Sequence, residues 1–154
     1  METSAMDVAK SEPLKRKTFV RIFPHVARIL MGLLFMMTGL NGFLHFLPQP
    51  ETPMPEGATA FVGALMKTGY MFPLIMGTQV IVATLLLLNR FVPLALALIA
   101  PIIVGIVSFH VFLAPAGAGM AVVVLAIEIY LAWSYRHAFR AMLTMRTRPG
   151  GEPR

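Results

Sequence analysis

Residues 91–127 read FVPLALALIAPIIVGIVSFHVFLAPAGAGMAVVVLAI and contain no Asp, Glu, Lys or Arg. Glu128 follows this run directly and lies inside a further apolar segment. About 20 apolar residues in a helix cross the roughly 30 Å hydrocarbon core of a bilayer. An ionisable side chain near the middle of such a span costs roughly 2.5–3.5 kcal/mol even on the gentler scales. Glu128 is therefore the first candidate for a functional residue.

The composition of the whole chain indicates an integral membrane protein. Of its 154 residues, 57% are hydrophobic and 13% are charged, with a mean hydropathy of +0.75. A soluble domain carries about 25% charged residues. Cysteine is absent, which excludes disulfides, thiol relays, iron–sulfur clusters and zinc–thiolate sites held by this chain.

Four segments approach or reach the length of a membrane span, at residues 29–47, 70–88, 91–113 and 117–135. They predict an all-α, polytopic membrane protein whose transmembrane domain, residues 26–139, is a four-helix bundle. The first outer loop carries an apolar segment at residues 58–66 that predicts a short interfacial helix. Residues 1–25 are expected to form a basic, partly disordered leader. Residues 140–154 are expected to form a basic tail.

The basic residues predict the orientation. Twelve of the 13 Lys and Arg residues precede the first span, occupy the turn at Arg90 or follow the last span. The remaining one, Lys67, lies in the first outer loop. Basic residues concentrate on the cytoplasmic side of a membrane. Both termini are therefore expected in the cytoplasm, with the protein in a bacterial cytoplasmic membrane. The net charge of +6 suits anionic lipid headgroups, so the expected partner is the bilayer and not a nucleic acid.

Five polar side chains lie at membrane depth: Asn41, His45, Gln79, His110 and Glu128. The helical rise places Asn41, His45 and His110 about 3–9 Å below the outer boundary of the hydrocarbon core. It places Gln79 and Glu128 about 14–16 Å below that boundary. Helical side chains lean toward their own N-terminus. All five therefore converge on the outer half of the bilayer, which predicts a polar, ligand-binding pocket that opens outward.

Each of these residues also has a structural interpretation. Polar side chains join helices in membranes by hydrogen bonds, and this interpretation is weighed more heavily for Asn41 and Gln79. His45 is equally well explained as an interfacial histidine. Glu128 is either a neutral acid that donates a hydrogen bond or a carboxylate kept ionised by a protonated His110. Both states remain open.

No catalytic residue and no metal site are predicted. The candidate metal ligands His45, His110 and Glu128 come from three different helices without a local two-ligand motif. The chain contains no phosphate loop, nucleophile elbow or paired-carboxylate motif, and no haem signature. The small residues on the spans are expected to let helices approach closely, namely Gly32, Gly39, Gly42, Gly77 and Gly105.

Several local motifs occur in a characteristic order. In chain order they are Gly39-Leu40-Asn41-Gly42-Phe43, Phe46-Leu47-Pro48, Thr68-Gly69-Tyr70, Leu88-Asn89-Arg90-Phe91-Val92-Pro93-Leu94-Ala95, Ala100-Pro101-Ile102-Ile103 and Phe109-His110-Val111-Phe112. Through them, the chain from about Val26 to Phe139 resembles the DoxX-like membrane proteins. The resemblance implies four membrane helices and an association with redox partners or with the assembly of other membrane proteins. Gln79 stands where the family frequently has a glutamate, and Gly42 where a basic residue is frequent.

Three functions are consistent with these observations. The favoured one is a non-catalytic accessory subunit that binds a lipid-like ligand or a partner, either another membrane protein or a second copy of itself. The alternative is the membrane component of a quinone-linked oxidoreductase, in which His110 and Glu128 manage protons; a quinone is the one cofactor considered. The third is a transporter of a small solute or of protons, which four helices accommodate poorly without oligomerisation.

Overall fold

The computed structural model describes the backbone of residues 3–48 and 53–142 and the side chains of residues 22–48 and 53–140. This part of the chain is helical and contains no strand, which confirms the all-α class. Its α-helices are α1 (Thr3–Leu44), α2 (Glu56–Lys67), α3 (Met71–Leu87), α4 (Val92–Phe112), α5 (Ala118–Ser134) and α6 (Arg136–Met142). A 3₁₀ turn, Pro115–Gly117, joins α4 to α5. Most of the predicted basic tail lies outside the described residues.

Within the described residues, three segments are long and apolar enough to cross a membrane: Ile22–Leu44 in α1, Val92–Phe112 in α4, and Pro115–Ser134. They identify the chain as an integral membrane protein. Helix α3 has 17 residues. It meets the same criterion only together with α2, from which it is bent by 89°.

The second, third and fourth predicted segments end within one residue of the bounds of α3, α4 and α5, whereas the first was expected to end at residue 47 and α1 ends at Leu44. The first span was expected at residues 29–47, and the described part of α1 that is apolar enough to cross a membrane is Ile22–Leu44. The sequence analysis treated Arg28 as a charged flank of this span. The side chain of Arg28 is in fact buried in the protein.

The end of α1 also differs from the prediction. The helix ends at Leu44, and His45 adopts the left-handed conformation with φ 50°. This conformation ends a right-handed helix. His45 therefore does not share a helical face with Asn41, as the predicted span had implied.

The four long helices pack side by side in the order α1, α3, α4, α5, and α5 also contacts α1. We call this arrangement the bundle. Its buried core combines residues from all four helices: Ala27, Met31, Phe35, Val82, Ala83, Leu86, Val92, Ala95, Leu96, Ile99, Ile103, Val124 and Leu131. In lipid, helices associate mainly through close van der Waals packing. The fit between neighbouring side chains therefore decides the stability of the bundle.

The closest helix pair is α1 and α3, and glycines make it possible. A Cβ atom added at Gly32 or Gly39 would lie 2.9 Å from a side chain of α3, and one at Gly42 would lie 2.3 Å from such a side chain. The expected packing role is confirmed for these three. It is wrong for Gly77 and Gly105, where an added Cβ meets nothing within 4 Å.

A tight turn joins α3 to α4 at one end of the bundle, the Asn89 end. The Arg90 N–H donates to the Leu85 carbonyl over 2.9 Å, and the Asn89 N–H donates to the Leu86 carbonyl over 3.1 Å. This pair of bonds, with Asn89 at φ 54°, is the Schellman arrangement that ends a helix on a left-handed residue. Asparagine tolerates that conformation better than most residues.

Helix α2 lies at the opposite end, the α2 end, against the last turn of α4. Ala58 is fully buried, and the Phe61 and Phe109 rings have centroids 5.8 Å apart. A Cβ added at Gly57 would lie 3.4 Å from the Leu113 side chain, an ordinary contact. The short helix expected in the first loop is thus present and packs on the bundle through small and aromatic residues.

Candidate functional site: an apolar cavity and two buried charges

A cavity of about 450 Å³ lies between α2, α3 and α4. Ligand pockets in proteins typically measure about 300–1,000 Å³. Its walls come from the inner face of α2 and the facing sides of α3 and α4: Phe61, Val62, Leu65, Met71, Phe72, Ile75, Met76, Gln79, Pro101, Ile102, Gly105, Ile106, Phe109 and His110. Among these described residues, Gln79 and His110 are the two with polar side chains.

Helix α4 contributes a proline and a glycine to the cavity wall. Pro101 and Gly105, one helical turn apart, both line the cavity. Gly105 has no side chain, and a Cβ built there would meet nothing within 4 Å. The apolar side chains Ile75 and Met76 on α3 belong to the opposite wall. Phe61, Pro101 and Gly105 are exposed, so the cavity opens to the outside of the bundle, and its size and apolar lining make it a candidate ligand site.

Gln79 links two helices and also forms part of the cavity wall. Its side chain is 5% exposed. The Thr38 hydroxyl on α1 donates to Gln79 Oε1 over 2.7 Å. This bond occupies the Gln79 carbonyl oxygen, and the Gln79 Nε2 has no hydrogen-bond partner among the described residues. The helix-joining interpretation and the ligand-binding one are therefore compatible for Gln79.

His110 lines the cavity close to the α2 end of the bundle. Its Nδ1 lies 3.0 Å from the Ala114 carbonyl oxygen. A carbonyl oxygen can only accept, so Nδ1 carries the proton of this bond, and Nε2 of the neutral ring is a hydrogen-bond acceptor. Within the described part of the chain, Nε2 has no partner. The ring also meets Phe109 edge to face, with the centroids 5.3 Å apart.

The position of the His110 ring depends on a glycine. A Cβ added at Gly117 would lie 2.2 Å from His110 Cε1 and 2.3 Å from Nδ1. No real Cβ tolerates such contacts. Gly117, in the turn between α4 and α5, therefore supplies the space in which the imidazole reaches the Ala114 carbonyl.

Asn41 and His45 lie outside the lining of the cavity. The Asn41 Oδ1 accepts a hydrogen bond of 2.7 Å from the Leu47 N–H, and its carbonyl accepts one of 2.9 Å from the His45 N–H. Asn41 thus holds the chain where it leaves α1. The His45 side chain is exposed. A ligand-binding role for these two residues stays a prediction without a contact to the cavity.

Glu128 is buried in the bundle, with 7% of its surface exposed. Its Oε2 is buried and has no hydrogen-bond partner within the described residues. Glu128 does not belong to the cavity lining. The structure therefore brings Gln79 and His110 to one cavity and places Glu128 elsewhere in the bundle. Unpaired buried oxygens are rare because they cost roughly 1–3 kcal/mol, so Glu128 remains a candidate functional group.

Arg28 is the second buried charge, and the sequence analysis missed it. Its side chain is 5% exposed. Nη1 donates to the Leu86 carbonyl at the end of α3, where the helix dipole presents partial negative charge. Nε is buried without a partner among the described residues. The apolar residues Ile22, Phe23 and Val26, which precede Arg28 in α1, were the signal that Arg28 lies within an apolar helical segment.

Comparison with known proteins finds no family model, no curated protein and no solved structure that matches this chain. The resemblance to the DoxX-like proteins thus stays an expectation based on the motifs quoted above.

Proposed function

We propose that this protein is a non-catalytic membrane protein that binds an apolar, lipid-like ligand between α2, α3 and α4, as an accessory subunit of a membrane assembly. The observation that supports this is the cavity of about 450 Å³, whose lining is apolar except at Gln79 and His110. Most small-molecule sites combine apolar walls with a few polar groups that orient the ligand.

The proposal includes a four-span topology. Helix α3 has 17 residues and is roughly 26 Å long, close to the thickness of the hydrocarbon core. It fits as the fourth span, and α2, bent away from it by 89°, fits as a helix in the outer interface. The expected assembly partner is another membrane protein or a second copy of this chain. The termini are placed in the cytoplasm by the distribution of basic residues, as in a bacterial inner membrane.

The topology can be tested with single cysteines because the chain has none of its own. Lys67→Cys, at the end of α2, should react with a membrane-impermeant maleimide on intact cells. Arg90→Cys, in the turn at the Asn89 end, should react only after the cells are permeabilised. The reverse pattern would contradict the orientation, and labelling of both sites on intact cells would contradict the assignment of α3 as a span.

The ligand site can be tested with a matched pair of glycine variants. A Cβ at Gly105 and one at Gly77 both meet nothing within 4 Å, but only Gly105 lines the cavity. Gly105→Leu should add a bulky side chain at the cavity wall and obstruct ligand binding, whereas Gly77→Leu adds the same side chain outside the cavity. Native mass spectrometry from mild detergent should show a lipid-like adduct on the unmodified protein and on Gly77→Leu. The adduct should be lost from Gly105→Leu. Equal adducts on all three would contradict the site.

A second candidate, the membrane component of a quinone-linked oxidoreductase, is favoured by one observation. The buried Glu128 has an oxygen without a partner among the described residues, and such a group can hold a proton for transfer. Electrons would come from a partner protein, because the chain lacks the cysteines of iron–sulfur clusters. Glu128→Gln should then slow quinol formation by the assembly without changing quinone binding. An unchanged rate would exclude this role.

A further inference from the structure

We propose that the cavity selects a neutral amphiphile headed by a hydroxyl group, a long-chain alcohol, whose O–H donates to Nε2 of His110. The inference deepens the proposed function and rests on it, because it assumes that the cavity between α2, α3 and α4 is a ligand site. It names the chemistry of the ligand's head and the residue that recognises it.

The first step concerns the hydrogen-bonding state of His110. Nδ1 is bonded to the Ala114 carbonyl over 3.0 Å, so it carries a proton. In a neutral imidazole the other nitrogen then has a lone pair and no proton. Nε2 is therefore an acceptor without a partner among the described residues, in a side chain that lines the cavity. A ligand that reaches it must bring a donor.

The second step concerns the position of His110 along the cavity. It lies in the last turn of α4, and Phe61 of α2 packs on its neighbour Phe109. The head of the ligand would thus lie beneath α2, at the α2 end of the bundle. The tail would run along α4 past Gly105 and Pro101, where the wall is apolar. This arrangement matches an amphiphile with one polar end.

The third step concerns charge. The lining contains no Lys or Arg side chain among the described residues, and a buried carboxylate or phosphate without a cation is strongly disfavoured. A pure hydrocarbon would leave Nε2 unpaired, which also has a cost. Gln79 offers the unbonded end of its amide deeper in the cavity, but it carries no charge. A neutral alcohol supplies the donor that an alkane lacks, and it brings no negative charge into a cavity where, in this proposal, the His110 ring is neutral.

The experiment is photolabelling of the full-length protein in phosphatidylcholine nanodiscs with a diazirine-bearing dodecanol, competed by dodecanol, dodecane or dodecanoate. Dodecanol should compete at a concentration roughly fivefold to tenfold lower than either of the others, the factor that one neutral hydrogen bond supplies. The labelled peptides should come from α3 and α4. Equal competition by dodecane, or stronger competition by dodecanoate, would overturn the proposal.

Two variants assign the preference to His110. His110→Asn keeps an N–H at the position of Nδ1 for the Ala114 carbonyl but removes Nε2, so the fold should persist while dodecanol and dodecane become equal competitors. Gly77→Leu, outside the cavity, should leave the preference unchanged. A preference for dodecanol that survives in His110→Asn would overturn the assignment.

The failure of this inference can be distinguished from failure of the proposed function. If Gly105→Leu abolishes labelling but dodecane and dodecanol compete equally, the cavity is a ligand site without selection for a hydroxyl head. If Gly105→Leu leaves labelling unchanged, the cavity is not the ligand site and both proposals fail.

Discussion

Replacement of Gly117 by alanine should displace the His110 ring and destabilise the protein. Gly117 has φ −92° and ψ 0°. Alanine also adopts these angles, so the backbone conformation does not disfavour the substitution. The conflict is with the imidazole, because the new methyl group would lie 2.2 Å from Cε1 and 2.3 Å from Nδ1. The ring must rotate, and the bond between Nδ1 and the Ala114 carbonyl is then lost.

The magnitude follows from two contributions. Loss of a neutral hydrogen bond costs about 1 kcal/mol of unfolding free energy, and overpacking a methyl group costs typically about 1–3 kcal/mol. Gly117→Ala should therefore lower the unfolding free energy by roughly 2–4 kcal/mol. Gly119 is the matched control, because a Cβ there meets nothing within 4 Å. Gly119→Ala should be neutral or stabilise the start of α5 by up to about 1 kcal/mol.

The assay is equilibrium unfolding of the purified protein in mixed micelles, followed by circular dichroism. His110→Ala removes the obstructing ring, so Gly117→Ala should cost little when it is made in that background, and the double-mutant cycle should show a coupling of about 1–3 kcal/mol. Equal unfolding free energies for Gly117→Ala and Gly119→Ala would contradict the proposed contact between the His110 ring and the turn.

Three further predictions concern the bundle and its buried charges. Gly39→Leu should destabilise the protein by roughly 3 kcal/mol or more, since the new Cβ would lie 3.0 Å from a backbone oxygen of α3. Gly63→Leu is the control and should be neutral in the same unfolding assay, because a Cβ there meets nothing within 4 Å. Arg28→Ala should lower the unfolding free energy by about 2 kcal/mol, because the hydrogen bond from Arg28 to the end of α3 is lost. Arg90→Ala, at an exposed position, should change the unfolding free energy little. Equal effects of the two substitutions would contradict a stabilising role for the buried Arg28 side chain. Glu128→Leu should raise the unfolding free energy by about 1–3 kcal/mol, because it removes an unpartnered buried oxygen; a loss of stability would show that the carboxyl has a partner in the membrane.

The sequence was sufficient to locate α3, α4 and α5. Each is an apolar run, and turn-forming residues such as Asn89 and Pro115 separate them. It did not reveal that Arg28 is buried. The charge of Arg28 is accommodated by the Leu86 carbonyl, 58 residues away in the chain, and a local pattern does not reveal a partner at that distance.

Of the five polar side chains that were predicted to converge, Gln79 and His110 line the cavity. Which way each helix is rotated depends on packing between helices, so the sequence did not separate Glu128 from that cavity. The same limit applies to the glycines: Gly42 packs against α3 while Gly105 leaves a gap, although both are glycines within apolar helices.

The most direct test of the cavity as a ligand site is anomalous diffraction from crystals of the protein soaked with bromododecane. The account predicts a bromine peak between α3 and α4, beside Gly105 and within the cavity lined by Ile75 and Ile106. It also predicts that the peak disappears in Gly105→Leu crystals. Bromine found only on the outward faces of the helices, such as beside the exposed Val122 and Ile129 of α5, would contradict it.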